Sequence, residues 1–194
     1  ACLDTLTTAA QTDPGTCFTV LRRLIDHRPD DLVLLRRRFV ALIPRHPKAG
    51  IEAVYYGFQG DDVRLVDSDM LAAVCAAFPG AAYNAYDFLC RLLRLRPGLI
   101  DAVVVEAARA NIDHATNYAF GFFRDLIDQR PEFTPQATIA LFECLSREPI
   151  HRAHIRAEQM EVLSAIADAS QVRTSLEEAL RAPPQHGSRR ARAL

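Results

Sequence analysis

The residues in this 194-residue chain whose types and spacing come nearest to a chemical site are His151, His154 and Glu158. Spacings of three, four and seven set two imidazoles and a carboxylate on one helix face, a donor set that suits a transition metal. One helix supplies too few ligands, however, and Arg152 and Arg156 flank the set, so a polar surface is expected. No metal and no other cofactor are expected. Cys2, Cys17, Cys75, Cys90 and Cys144 are odd in number and never in a CxxC arrangement, which argues against a disulfide framework and a zinc site. A reducing, cytoplasmic setting is the matching expectation. Glu143-Cys144 has no identifiable histidine partner, and Asp61, Asp62, Asp67 and Asp69 read as acidic helix starts. With no GxSxG, GxxxxGK[ST], GxGxxG or HExxH string, a non-enzymatic chain is expected.

Binding chemistry is better represented. Between residues 17 and 48 eight basic side chains face three acidic ones, a net of +5; between 49 and 87 one basic side chain faces six acidic ones, a net of −5. The basic candidates are Arg22, Arg36, Arg37, Arg38, Arg45 and Lys48. Guanidinium suits bidentate capture of anions, although three successive arginines fan over about 200° of a helix and so also fit a solvated face. Most aromatic residues are expected in the core, while Tyr56, Tyr83 and Tyr118 are expected to reach a groove. The whole chain, with 23 basic and 24 acidic residues and a net charge of −1, lacks the cation surplus of a general nucleic-acid or membrane binder. No run approaches the 18 or so apolar residues of a membrane span.

The elements that position these groups are helices. Apolar residues recur at helical spacing throughout, and nothing alternates with the period of a strand. From a cap at Thr16, Cys17, Val20, Leu21, Leu24 and Ile25 share a face up to Pro29, and Asp30-Asp31 open a second helix ending at Pro44. Pro47 starts a third, Ser68 and Asn84 can cap two more, Leu99, Ile100, Val103, Val104 and Ala107 form a stripe, and Thr134-Pro135 starts a late helix. Residues 1–182 are expected to form a single domain, and the proline-led basic tail 183–194 to be disordered.

A period of 34 organises the pattern. Arg-Pro dipeptides stand at Arg28-Pro29, Arg96-Pro97 and Arg130-Pro131, and the twelve residues ending at each proline align without gaps, with an aromatic first (Phe18, Tyr86, Phe120). An intervening unit lacks the proline and keeps Tyr55 and Phe58. Ala85, Leu89, Leu92, Pro97 and Ala119, Phe123, Leu126, Pro131 resemble the second-helix half of the tetratricopeptide repeat; the first-helix half is not recovered, and HEAT-type repeats stay open. The resemblance implies an all-α, right-handed α-solenoid of about five helix pairs that binds a protein or peptide in a concave groove. The alternative is a nucleic-acid-binding HEAT-like array using the arginine-rich N-terminal patch.

Overall fold

Aspartates placed just ahead of apolar runs decide where several helices begin. A computed structural model describes residues 5, 8–27, 32–57, 66–147, 157 and 159–164 of the protein. Asp13 accepts a hydrogen bond from the Thr16 amide at 3.0 Å and Pro14 is the first residue of α1 (Pro14–His27), so Thr16 lies inside the helix and Asp13 caps it. Asp67 likewise accepts from the Met70 amide at 3.0 Å ahead of α4 (Ser68–Ala77), and Asp101 from the Val104 amide at 2.9 Å ahead of α6 (Ala102–Ala110). Ser68 is therefore the first helical residue and not the cap. Asn84 sits within α5 (Ala82–Leu95), where its side-chain amide donates to Glu52 at 3.1 Å.

The remaining helices are α2 (Leu32–Leu42), α3 (Pro47–Gly57), α7 (Thr116–Gln129) and α8 (Thr134–Arg147). Short 3-10 turns lie at Phe78–Gly80, Pro97–Leu99, Ile112–His114 and Pro131–Phe133, and no strand occurs among the described residues. The fold is all-helical. Successive helices contact one another at α1–α2, α3–α4 and α7–α8, and alternate helices do so as well: α1 with α3, α3 with α5, and α5 with α7 on one side, α2 with α4 and α4 with α6 on the other. The result is two rows of helices packed face to face.

The core lies between the rows. Phe18 and Phe39 meet edge to face at 5.0 Å between α1 and α2. Tyr86 packs edge to face on Phe78 at 4.8 Å and lies 6.2 Å from Phe122, and its buried hydroxyl donates to the Ala108 carbonyl at 2.6 Å. One side chain of α5 thus touches the turn before it, α6 and α7. The start at Asp101 also moves the apolar stripe of α6. Val104, Val105 and Ala108 are buried, whereas Val103 is 69% exposed, so the face expected through Val103, Val104 and Ala107 is rotated. In α3 the buried residues are Gly50, Ile51 and Val54, not Tyr55, which is half-buried.

The Arg-Pro corners hold more than a helix stop. Arg96 and Arg130 leave helical geometry with nearly equal backbone angles, φ −145°, ψ 65° and φ −140°, ψ 73°, and their prolines open 3-10 turns. Each guanidinium then turns back to the residues ahead of the preceding helix. Arg96 donates to the Val66 carbonyl at 3.0 Å, and Arg130 to the Ile100 carbonyl at 2.7 Å and to that of Pro97. Val66 and Ile100 each precede a capping aspartate. The Arg28-Pro29 corner, Phe58, Asp61, Asp62, the His151, His154 and Glu158 set, Cys2 and the tail 183–194 lie outside the described residues.

Candidate interaction groove

Three helices of one row, α3, α5 and α7, present a common outer face. On α5, Tyr83, Asp87, Arg91 and Arg94 follow one another at spacings of four, four and three; on α7, Tyr118, Gly121 and Asp125 do so at three and four. The opposite faces bury Tyr86, Leu89, Leu93, Phe122 and Leu126, and that burial fixes the outward direction of these polar residues. Between α5 and α7, with Tyr55 of α3 at its side, lies an open depression of about 560 Å³.

One end of the depression is aromatic. Tyr83, 53% exposed, and Tyr118 stack at 4.0 Å with ring planes at 48°, and the Tyr118 hydroxyl donates to that of Tyr83. Donating that bond pushes the Tyr118 phenol up to about 12, since ionisation would forfeit it. At the side, Tyr55 meets Tyr56 edge to face at 4.8 Å, and the Arg91 guanidinium stands 6.0 Å from the Tyr55 ring centre.

The other end is ionic. Asp125 accepts from Arg94 at 3.0 Å and from Arg124 at 2.7 Å, so two guanidinium groups share one carboxylate. The bond to Asp125 raises the affinity of Arg94 for its proton. Asp87 is half-buried, and its partial desolvation pushes its carboxyl up. Burial, with a smaller effect of Asp125, lifts the Cys90 thiol in the wall to about 12, and burial lifts Cys75 to about 11. Both thiols stay protonated near neutral pH, which leaves them poor nucleophiles. Elsewhere, Glu143 is clamped by Arg109 through bonds of 2.6 and 3.1 Å, so its carboxylate is engaged beside buried Cys144. Among the described residues no group of three His, Cys, Asp or Glu side chains could hold a metal ion, and no helix is long and apolar enough to cross a membrane.

No protein-family model, no curated protein and no solved structure matches the chain. Function therefore has to be read from the chain's own geometry.

That geometry brings together some of the expected binding residues and separates others. Tyr83 and Tyr118 touch; Tyr118 lines the first depression, and Tyr83 walls a second of about 510 Å³ that Lys48 lines. Tyr56 is 67% exposed and meets Tyr55 edge to face. Arg22 is half-buried on α1, Arg37 and Arg38 are exposed on α2, and Arg45 is exposed in the turn after it. None of these four lines either depression. Arg36 is bound to Asp67 at 2.5 Å, which joins the basic N-terminal segment to the acidic one that follows. Arg91, Arg94, Arg124 and Gly121 were not among the expected site residues. Their signal was present as arginines at i, i+3 on the tyrosine-bearing face of α5, answered by Asp125 31 residues after Arg94.

Gly121 stands out within α7 because a β-carbon there would meet nothing within 4 Å. Glycine inside a helix is less favourable than alanine by about 0.5–1 kcal/mol. Gly121→Ala is accordingly expected to raise the unfolding free energy by about that amount, measured by urea denaturation; a loss would show that the position is constrained from within the chain.

Proposed function

We propose that the chain is a non-enzymatic helical-repeat scaffold, an α-solenoid in the manner of tetratricopeptide or HEAT arrays, that binds a protein or peptide across α3, α5 and α7. The carrying observation is the depression over these helices, walled by Tyr118, against which Tyr83 packs, at one end and by the Arg94–Asp125–Arg124 cluster at the other. The register of the buried residues supports a repeat. Small residues Cys17, Gly50, Ala85 and Ala119 recur at intervals of 33, 35 and 34, and each is followed by a larger buried residue, Phe18, Ile51, Tyr86 and Phe120. Three positions further lie Leu21, Val54, Leu89 and Phe123. On this reading Gly50, Ile51 and Val54 stand for the unit that lacks the Arg-Pro dipeptide, in place of Tyr55 and Phe58. Alternate-helix contacts are what a stack of pairs requires, because each pair must bury its apolar face on the next. Cys17, Cys75, Cys90 and Cys144 as free thiols fit the reducing, cytoplasmic setting that belongs to the same proposal.

The nucleic-acid reading through Arg22, Arg36, Arg37, Arg45 and Lys48 gains less support. Arg36 is engaged by Asp67, and Lys48 lies beside Tyr83 and not with the α2 arginines. The test is photo-cross-linking in the producing cells from a benzophenone side chain placed at Tyr83, at Tyr56 or at Val103. Discrete polypeptide adducts are expected from residues 83 and 56 and not from 103 on the other row. Adducts to nucleic acid, or equal labelling from all three positions, would overturn the reading.

A further inference from the structure

We infer that the α3–α5–α7 groove takes an extended acidic peptide segment, with a carboxylate docking on Arg91 and the peptide main chain passing over Gly121. The inference rests on the scaffold reading and assigns both the place and the chemistry of the partner.

Charge supplies the first argument. Arg91, Arg94 and Arg124 face Asp87 and Asp125 in the lining, an excess of one positive charge. Asp125 already accepts from two guanidinium groups, which leaves most of the five donors of each arginine unused by protein carboxylates. Arg91 makes no ion pair with the described residues, and its guanidinium rests toward the Tyr55 ring. A guanidinium near an aromatic ring in the lining of the groove is suited to bidentate binding of a carboxylate. A nucleic-acid strand fits less well. It needs a run of cations along its phosphates, whereas this groove offers an excess of only one positive charge, enough for a single carboxylate.

Gly121 supplies the second, independent argument. Nothing in the chain approaches the space where its side chain would be, so no intramolecular contact accounts for glycine in the interior of α7. Glycine is suited to positions where another backbone must come close. Here it opens the groove between Tyr118 and the Asp125 cluster; an extended chain exposes its backbone along its length and can lie against such a position, whereas a helix encloses its backbone in side chains.

The experiment pans a displayed library of random dodecapeptides on the full chain, and measures recovered peptides by fluorescence anisotropy. Expected are peptides enriched in Asp and Glu whose affinity falls about tenfold or more in Arg91→Ala, the loss of one charge-assisted pair. Gly121→Leu, which fills the groove without touching the core, is expected to weaken them at least as much, while Val103→Ala leaves them unchanged. Circular dichroism confirms that each variant is folded. Acidic peptides that bind Arg91→Ala and Gly121→Leu as well as the parent chain would overturn the groove assignment and leave the scaffold reading standing. Recovery of peptides without acidic enrichment would overturn the partner's chemistry. No recovered peptide, with poly(U) bound in a steeply salt-dependent manner instead, would overturn the inference and the scaffold reading together.

Discussion

Replacing Tyr86 by alanine is expected to lower the unfolding free energy by about 4 kcal/mol, as for other fully buried aromatic truncations. The side chain has no exposure and is among the largest fully buried ones, wedged between Phe78 and Phe122. Truncation leaves a cavity at the junction of α5, the preceding turn, α6 and α7, and the two-row packing offers no loose element to collapse into it. Since domains of this size are stable by only about 5–15 kcal/mol, the variant should unfold at markedly lower urea. Tyr86→Phe isolates the hydroxyl. Its expected loss is about 1 kcal/mol, because the Ala108 carbonyl keeps the Asn111 amide at 2.9 Å when the phenol is removed. Burial, the largest cause, holds the Tyr86 phenol far above its usual range, so the folded chain keeps it neutral while the unfolded chain ionises it above about pH 10. The contribution is therefore complete below about pH 10 and declines as pH rises above it. Tyr86→Phe should flatten that alkaline decline, which urea titrations at successive pH values would read; an equally steep decline in the variant would assign it to another group.

Gly50→Ala is expected to lose about 2 kcal/mol, although glycine-to-alanine changes inside helices usually stabilise. A β-carbon at residue 50 would lie 2.8 Å from the Cα of Ile43 and 3.2 Å from its Cβ. The obstacle is backbone, in the turn joining α2 to α3, and no side-chain rotation relieves it. The two helices must separate, and buried Ile43 and Ile51 lose contact with them. The same substitution at Gly121 meets nothing and should have the opposite sign. Measuring both variants by urea denaturation separates close packing from helix propensity; a gain at residue 50 would contradict the tight α2–α3 corner.

The helical class was legible because prolines, aspartates and apolar spacing at 3.6 residues per turn are local signals. Pro14, Pro47, Pro97 and Pro131 each open a helix or turn. Caps were less legible. Thr16 and Ser68 are good cap types, but each has an aspartate one to three residues earlier whose carboxylate reaches the third helical amide. Only the three-dimensional start of the chain segment decides between them. The rotation of α6 followed from the same ambiguity, since a start at Asp101 turns Val105 inward and Val103 outward. Arg96 and Arg130 were visible as partners of proline, yet their return to carbonyls 30 residues earlier depends on how the two helices between them are placed in space. The groove was half legible. Tyr83 and Tyr118 could be singled out as aromatics off the apolar stripe, while Arg91, Arg94 and Arg124 look like any exposed arginines until α5 and α7 lie side by side.

Cross-linking from residue 83, compared with residue 103 in the same cells, tests the binding role of the α3–α5–α7 face most directly. Discrete polypeptide adducts from residue 83, absent from residue 103 and lost when Gly121→Leu is added, are the predicted result. Adducts that form equally at residue 103, or that survive Gly121→Leu unchanged, would contradict it.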